Sequence, residues 1–555
     1  MSEPTTIPAT TKVGRRTLLR WGAATGAALA GGAHITTTAA TPIAPFPELE
    51  EATIADLQAA MAAGRLTARD LVTRYIARIE AIDRSGPTLR SILELNPDAL
   101  AIAATLDAER AAKGPRGPLH GIPILLKDNI DTADRMLTTA GSLALVGTRP
   151  TSDATVAARL RAAGAILLGK TNMSEWANFR STHSSSGWSA RGRQGKNPYA
   201  LDRNPCGSSS GSAQAVAANL AAAALGTETD GSIVCPAHMC GIVGIKPTVG
   251  LTSRAGIIPI AHSQDSVGPM ARTVADAAIL LGVLTGPDPR DSATDASAGQ
   301  AQADYTKYLD PNGLRGARIG VARAAYFGYN EETDLVIEAA IATLRGSGAT
   351  IVDPADIPTA DEIVTAPDEF EVLLYEFKAD LNAYLATREP NPAHPTAPVA
   401  RTLADVIAFN AGDAQDEMPY FGQEILLLAE EKGPLTEATY IAALAASQRR
   451  GRAAGLDAVL DEHKLDALIA PVTGPAFLTD LINGDLLAPG STSAAAIAGY
   501  PLVTVPAGDV HGLPVGINFM GRAYSEPTLI RLAYAFEQAT RARRIPRFPP
   551  TLELS

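Results

Sequence analysis

Residues 122–126 read Ile-Pro-Ile-Leu-Leu, a short unbroken apolar run that follows Gly121 and stops at Lys127 and Asp128. A run of this length, bounded by turn and charge signals, predicts a strand buried on both faces. Residues 163–169 (Ala-Gly-Ala-Ile-Leu-Leu-Gly) predict another, after a helix-like stretch at 154–162. Upstream, Ile54, Leu57, Met61, Leu66, Leu71, Tyr75 and Ile79 recur at helical spacing, with Thr67 placed to cap the second of two helices. Helices alternating with doubly buried strands must be layered on a sheet, so the expected class is α/β.

Further along, residues 285–315 read as a surface loop and 333–460 as a mostly helical insertion with a proline-rich break. Strands return at 467–470 and 502–505. A segment at 512–522 and a final helix from Glu526 to about Thr540 complete the chain. The expected organisation is a leader and linker at 1–45 followed by one large domain at 46–555. The net charge of −12 and the absence of a basic patch argue against a nucleic-acid partner. The scattered histidines form no metal-binding motif, so no metal and no cofactor are expected.

Lys127 is the hardest residue to place. It is either the exposed tip of its strand or a buried base. An unperturbed lysine is neutral in only about one molecule in a few thousand at pH 7, and desolvation is what lowers its pKa. Residues 207–212 (Gly-Ser-Ser-Ser-Gly-Ser) precede an Ala-rich stretch at 213–225 that reads as a helix, which puts the serines at a helix N-terminus where developing negative charge is favoured. Ser232 follows Gly231 in a second Gly-Ser turn. A serine needs a base before it attacks, and this chain offers a lysine with a second serine as a bridge. Gly207–Gly211 also satisfies the Gly-x-Ser-x-Gly elbow with Ser209 as nucleophile and His463 or His511 as partner. That reading leaves Lys127 and residues 227–237 without a role. Cys206, Cys235 and Cys240 flank the serine motifs, and their odd, low number suggests small buried side chains, not a disulfide scaffold or a catalytic thiol.

In order and spacing the segments GIPILLKDNID (121–131), CGSSSGS (206–212) and TETDGSIVCPA (227–237) resemble the amidase signature family. Gly121, Pro123, Lys127 and Asp128 match its Gly-x-Pro-x-x-x-Lys-Asp pattern. The resemblance implies a catalytic unit of Lys127, Ser208 as the serine preceded by a cis peptide bond, and Ser232 as nucleophile. It also implies an oxyanion hole of backbone N–H groups from Thr229, Asp230, Gly231 and Ser232, and a mixed twisted sheet covered by helices on both faces. Cys206 and Ser210 stand where the family more often has glycine, and Asp230 where many members have glycine. Trp188, Ser209 and Asp230 are candidate substrate contacts, although Trp188, like Trp176 and Phe179, equally suits packing against the sheet. Residues 264–269 are expected to wall the site, with Asp265 equally readable as a turn residue.

Within the family, residues 184–202, 227–237 and 370–384 are most similar to bacterial peptide amidases. The implied substrate is a primary carboxamide, on a small molecule or at a peptide C-terminus. The alternatives are a general aliphatic or aryl amidase, an inactive binding protein on the same scaffold, and a glutamine-dependent tRNA amidotransferase subunit. A monomer or homodimer is expected. At the N-terminus, Gly14-Arg15-Arg16-Thr17-Leu18-Leu19-Arg20 and the short Ala/Gly-rich run 21–33 resemble a twin-arginine export signal, too short and too weakly apolar for stable membrane insertion. A periplasmic or extracellular location is therefore expected, or a cytoplasmic one if the signal is not used.

Overall fold

The apolar run becomes the strand Pro123–Lys127, and every residue of it is buried, the lysine included. The structure, a computed structural model, describes residues 49–552; the expected export signal lies outside them. The strands are β1 (Ile92–Leu95), β2 (Pro123–Lys127), β3 (Thr148–Arg149), β4 (Ile166–Thr171), β5 (Ala223–Glu228), β6 (Val243–Lys246) and β7 (Ser266–Ala271). They continue with β8 (Arg318–Val321), β9 (Thr350–Val352), β10 (Glu389–Pro390), β11 (Ala467–Pro471), β12 (Leu502–Val510) and β13 (Leu513–Met520). Eleven form one mixed sheet flanked by helices, in the order β1-β4-β2-β5-β7-β6-β12-β13-β11-β8-β9. The remaining two, β3 and β10, pair with each other.

The local signals explain the elements. Thr67 accepts the N–H of Asp70 while the Asp70 carboxylate accepts the N–H of Thr67, a reciprocal cap that starts the helix Ala68–Ile79. β2 lies parallel to both β4 and β5, with Leu126 level with Leu225. Being flanked on both edges and covered on both faces is what its continuous apolar sequence requires.

One expectation needs correction. The Ala-rich stretch 213–225 is not one helix. The helix Ser210–Ala217 ends before Asn219, which takes φ +58°, and Ala223 opens β5 in the middle of the sheet. Alanine favours helices only weakly, and burial between β2 and β7 overrides that preference. The segment 333–460 is mostly helical, but it also supplies β9, which extends the sheet beside β8. No helix among the described residues is long and apolar enough to cross a membrane.

Candidate active site

Parallel pairing brings the ends of β2 and β5 together, and the chemistry collects there. Lys127 Nζ lies 2.7 Å from Ser208 Oγ and donates to Thr227 Oγ1 at 2.9 Å and Thr227 O at 3.1 Å. Lys127 and Ser208 are both 0% exposed. Burial pushes the lysine down to about 7, against the opposing pull of Asp265 and Glu228. The neutral amine keeps two N–H donors, which Thr227 accommodates. Its lone pair is then free to face the Ser208 hydroxyl.

Ser208 sits in a tightly built loop. The Gly207–Ser208 peptide is cis, as the resemblance implies. Cys206 O accepts Ser210 Oγ–H at 2.7 Å, and Ser208 O accepts Ser174 N–H at 3.1 Å. A side chain at position 207 would meet Ser174 Oγ at 2.1 Å, so Ser174 would have to shift to admit one. Ser209, a candidate substrate contact, is not available for that role. It is fully buried, its Oγ donates to Thr227 O and accepts Thr227 N–H, and this also removes it as an elbow nucleophile. Its own N–H donates to Ser232 O at 3.0 Å, which joins the two serine loops.

After β5 the chain turns through Gly231, whose φ of +78° favours glycine, into the short helix Val234–Met239. The Glu228 carboxylate accepts the N–H groups of Ile233 and Val234 at 2.6 and 2.9 Å and so anchors that turn. Among the described residues, none of the N–H groups of Thr229, Asp230, Gly231 and Ser232 donates to a protein acceptor. Ser232 is 8% exposed and lies on the floor of a cleft of about 570 Å³.

Asp230, Glu369 and Asp485 line the same cleft, with no lysine, arginine or histidine. Ser493 Oγ donates to Asp230 Oδ2, and the other carboxylate oxygen has no partner. Burial raises Asp230; burial and the charge of Asp230 together push Glu369 up to about 8. Asp485 is pushed up to about 6 by burial while accepting Ser186 N–H. Asp265 does not line this cleft but a smaller pocket beside Ser208 and Thr229, and it is a turn residue: it accepts Thr229 Oγ1–H and the N–H groups of Ile260 and Ala261.

Trp188 does not line the cleft. It is buried against Phe421, ring centroids 5.1 Å apart, and the Arg180 guanidinium lies 5.1 Å from its ring. Arg180 pairs with the buried Glu175, and these aromatic faces cover a charge removed from water. The reading of the cysteines is also corrected. Cys206 and Cys235 form a disulfide, and Cys240 is free and buried. Proximity across 29 residues of sequence makes the pair, which a count of three did not reveal. Thr227, Glu369, Asp485 and Ser493 carried no signal in the sequence because they come from outside the recognised motifs or act only through neighbours. His262, Glu376 and Asp380 group closely, but the imidazole pairs with Asp380 while Tyr440 and Ser263 N–H occupy Glu376.

A sheet that carries a desolvated lysine against a serine hydroxyl is the framework of a hydrolase. The chain belongs to the amidase signature family: the family model described as Amidase matches residues 70–530. It is an amidohydrolase acting on amide C–N bonds. The crystal structure of a peptide amidase from Stenotrophomonas maltophilia is 54% identical with a TM-score of 0.85, covering 91% of this chain and 100% of that one. A protein named as a probable amidase of Arabidopsis thaliana is 45% identical over 90% of this chain and 92% of its own length. A glutamyl-tRNA(Gln) amidotransferase subunit of Chloroflexus aurantiacus is 38% identical over 89% of this chain and 97% of its own.

Replacing Lys127 by methionine keeps the stem and removes the buried amine. Because the folded pKa lies below the unfolded one, the unfolded state binds more protons between about pH 7 and 10.5, and wild-type stability rises across that window. Lys127→Met is therefore expected to gain most in Tm relative to wild type below pH 7, with the gain shrinking toward pH 10. Paired thermal melts across that range check it; a pH-independent difference would contradict the lowered pKa.

Proposed function

We propose that the protein hydrolyses an unsubstituted carboxamide at the C-terminus of a peptide, releasing ammonia through an acyl-enzyme on Ser232. The observation that carries the chemistry is the 2.7 Å contact between a buried, readily deprotonated Lys127 and Ser208. In the proposed sequence Ser232 Oγ attacks the amide carbonyl and passes its proton through Ser208 to neutral Lys127. The N–H groups of Thr229, Asp230, Gly231 and Ser232 receive the developing oxyanion. Lys127 then returns the proton through Ser208 to the leaving nitrogen, and ammonia departs. Water enters, gives up its proton along the same route, and the acid is released as Ser232 is restored.

The peptide assignment draws on likeness to the Stenotrophomonas peptide amidase and on the charge of the cleft. The negative charge of Asp230 and Asp485, with no cationic side chain beside them, disfavours a substrate ending in a free carboxylate, whereas a neutral carboxamide meets no such repulsion and can accept a hydrogen bond from a protonated Glu369. The likeness to an amidotransferase subunit keeps glutamine-dependent transfer as the second reading.

We also propose export. The Arg15-Arg16 segment resembles a twin-arginine signal, and a disulfide persists in oxidising compartments.

Ammonia release from an amidated dipeptide should exceed that from a simple aliphatic amide and leave internal peptide bonds intact. Ser232→Ala should lower kcat by at least about 10³-fold. Activity that survives this substitution removes the nucleophile assignment, and equal rates on both amides move the substrate to small amides. The kcat/KM profile should rise with pH through an acidic limb near 7 as Lys127 loses its proton, and a flat profile would argue against a lysine base. For export, Arg15→Lys/Arg16→Lys should leave the protein in the cytoplasmic fraction of a host with a twin-arginine pathway; undiminished export would sink the signal assignment.

A further inference from the structure

The Cys206–Cys235 bridge occupies a telling place. Cys206 directly precedes the cis Gly207–Ser208 peptide, and Cys235 lies in the first turn of the helix that follows Ser232. The bridge therefore spans the two loops that carry the serines, with its Cα atoms 6.0 Å apart. Among the described residues, one hydrogen bond joins the loop 206–209 directly to the segment 229–235, from Ser209 N to Ser232 O. Each loop is otherwise held from elsewhere: the first by Ser174, Asn204, Lys127 and Thr227, the second by Glu228, Asp265 and Ser493. Cys206 also takes φ +60°, a conformation that glycine adopts freely and a residue with a side chain adopts reluctantly. Both cysteines line the cleft beside Gly207 and Ser232, within reach of a small solute that enters it.

We propose that the Cys206–Cys235 disulfide is a positioning element of the catalytic unit, setting the separation of Ser208 from Ser232 and making the reaction depend on the oxidation state of this pair. The main core does not run through the bridge; its cysteines belong to a separate small buried cluster with Tyr199, Met239, Phe477 and Leu513 at the start of β13. Opening the bridge leaves the fold in place and lets the Ser208 loop shift against Ser232. A dithiol breaks the sulfur–sulfur bond by giving up two electrons and two protons. Cys206 and Cys235 become thiols and the reductant closes to its own cyclic disulfide. Oxidised glutathione reverses the change.

The inference rests on Ser232 as nucleophile, so the test uses a probe that needs no knowledge of the natural amide. A fluorophosphonate is attacked at phosphorus by the Ser232 oxygen, fluoride leaves, and the serine proton passes to the base. Labelling at Ser232 is followed against pH in a Cys240→Ala background, before and after dithiothreitol, with bridge thiols counted by alkylation and the fold checked by circular dichroism. Reduction is expected to slow the maximal labelling rate by about ten- to a hundredfold, as for a displacement on the order of 1 Å at a reacting group. The concentration dependence of labelling should change little. The acidic limb should move to higher pH as water gains access to Lys127. Reoxidation should restore both, and Cys206→Ala/Cys235→Ala should reproduce the reduced behaviour, deciding the matter if the bridge resists the reductant.

Unchanged rate and limb in the reduced protein or the double variant overturn the inference. So does a double variant that fails to fold, because the bridge is then a requirement of folding. Absence of labelling in the oxidised protein instead removes the nucleophile assignment itself, and the inference with it.

Discussion

The desolvation of Lys127 is the constraint around which the rest of the site is arranged. A lysine in water holds its proton at neutral pH. Here β4 and β5 flank its strand, the sheet and helices exclude solvent, and the amine is brought near neutrality. Burial of this kind is destabilising unless the remaining donors find acceptors. Thr227 provides two and Ser208 the third contact, so the interactions that make the lysine tolerable also aim it at a hydroxyl. The apolar strand before Lys127 is thus part of the proposed chemistry: it sets the pKa on which the proposed proton relay would draw.

Acidic groups complete the electrostatics. Glu228 anchors the turn that presents Ser232, and Asp265 fixes Thr229 and the wall opposite. Farther out, Glu369 and Asp485 bring carboxyl groups into the cleft from segments distant in sequence. Burial raises all four, which softens their mutual repulsion and limits how strongly they re-protonate the lysine. The cleft keeps an acidic lining while the Lys127 amine stays close to neutral.

Much of the framework was legible in advance because the signals were local. The Thr67 cap, the strand before Lys127 and the final helix are each specified by a handful of neighbouring residues. The stretch 213–225 was not, since alanine suits a buried helix and a buried strand almost equally and neighbours in the sheet decide between them. Trp188 and Ser209 lie close to the motifs in sequence, yet one roofs a buried ion pair and the other bonds to Thr227. Proximity in sequence to a reactive residue does not fix the direction of a side chain. The disulfide was missed for a related reason: a count of cysteines carries no information about distance.

By itself, the sequence determined the α/β class and, through its resemblance to the amidase signature family, singled out Lys127, Ser208 and Ser232 as candidates, because short local motifs carry both signals. Tertiary structure decided that the lysine is buried and not an exposed tip, that Thr227 holds it, that Cys206 meets Cys235, and that Glu369, Asp485 and Ser493 reach the cleft. Each of those outcomes depends on which distant segments pack together. Burial, pKa and cross-chain contact are properties of that packing and of no single stretch of residues.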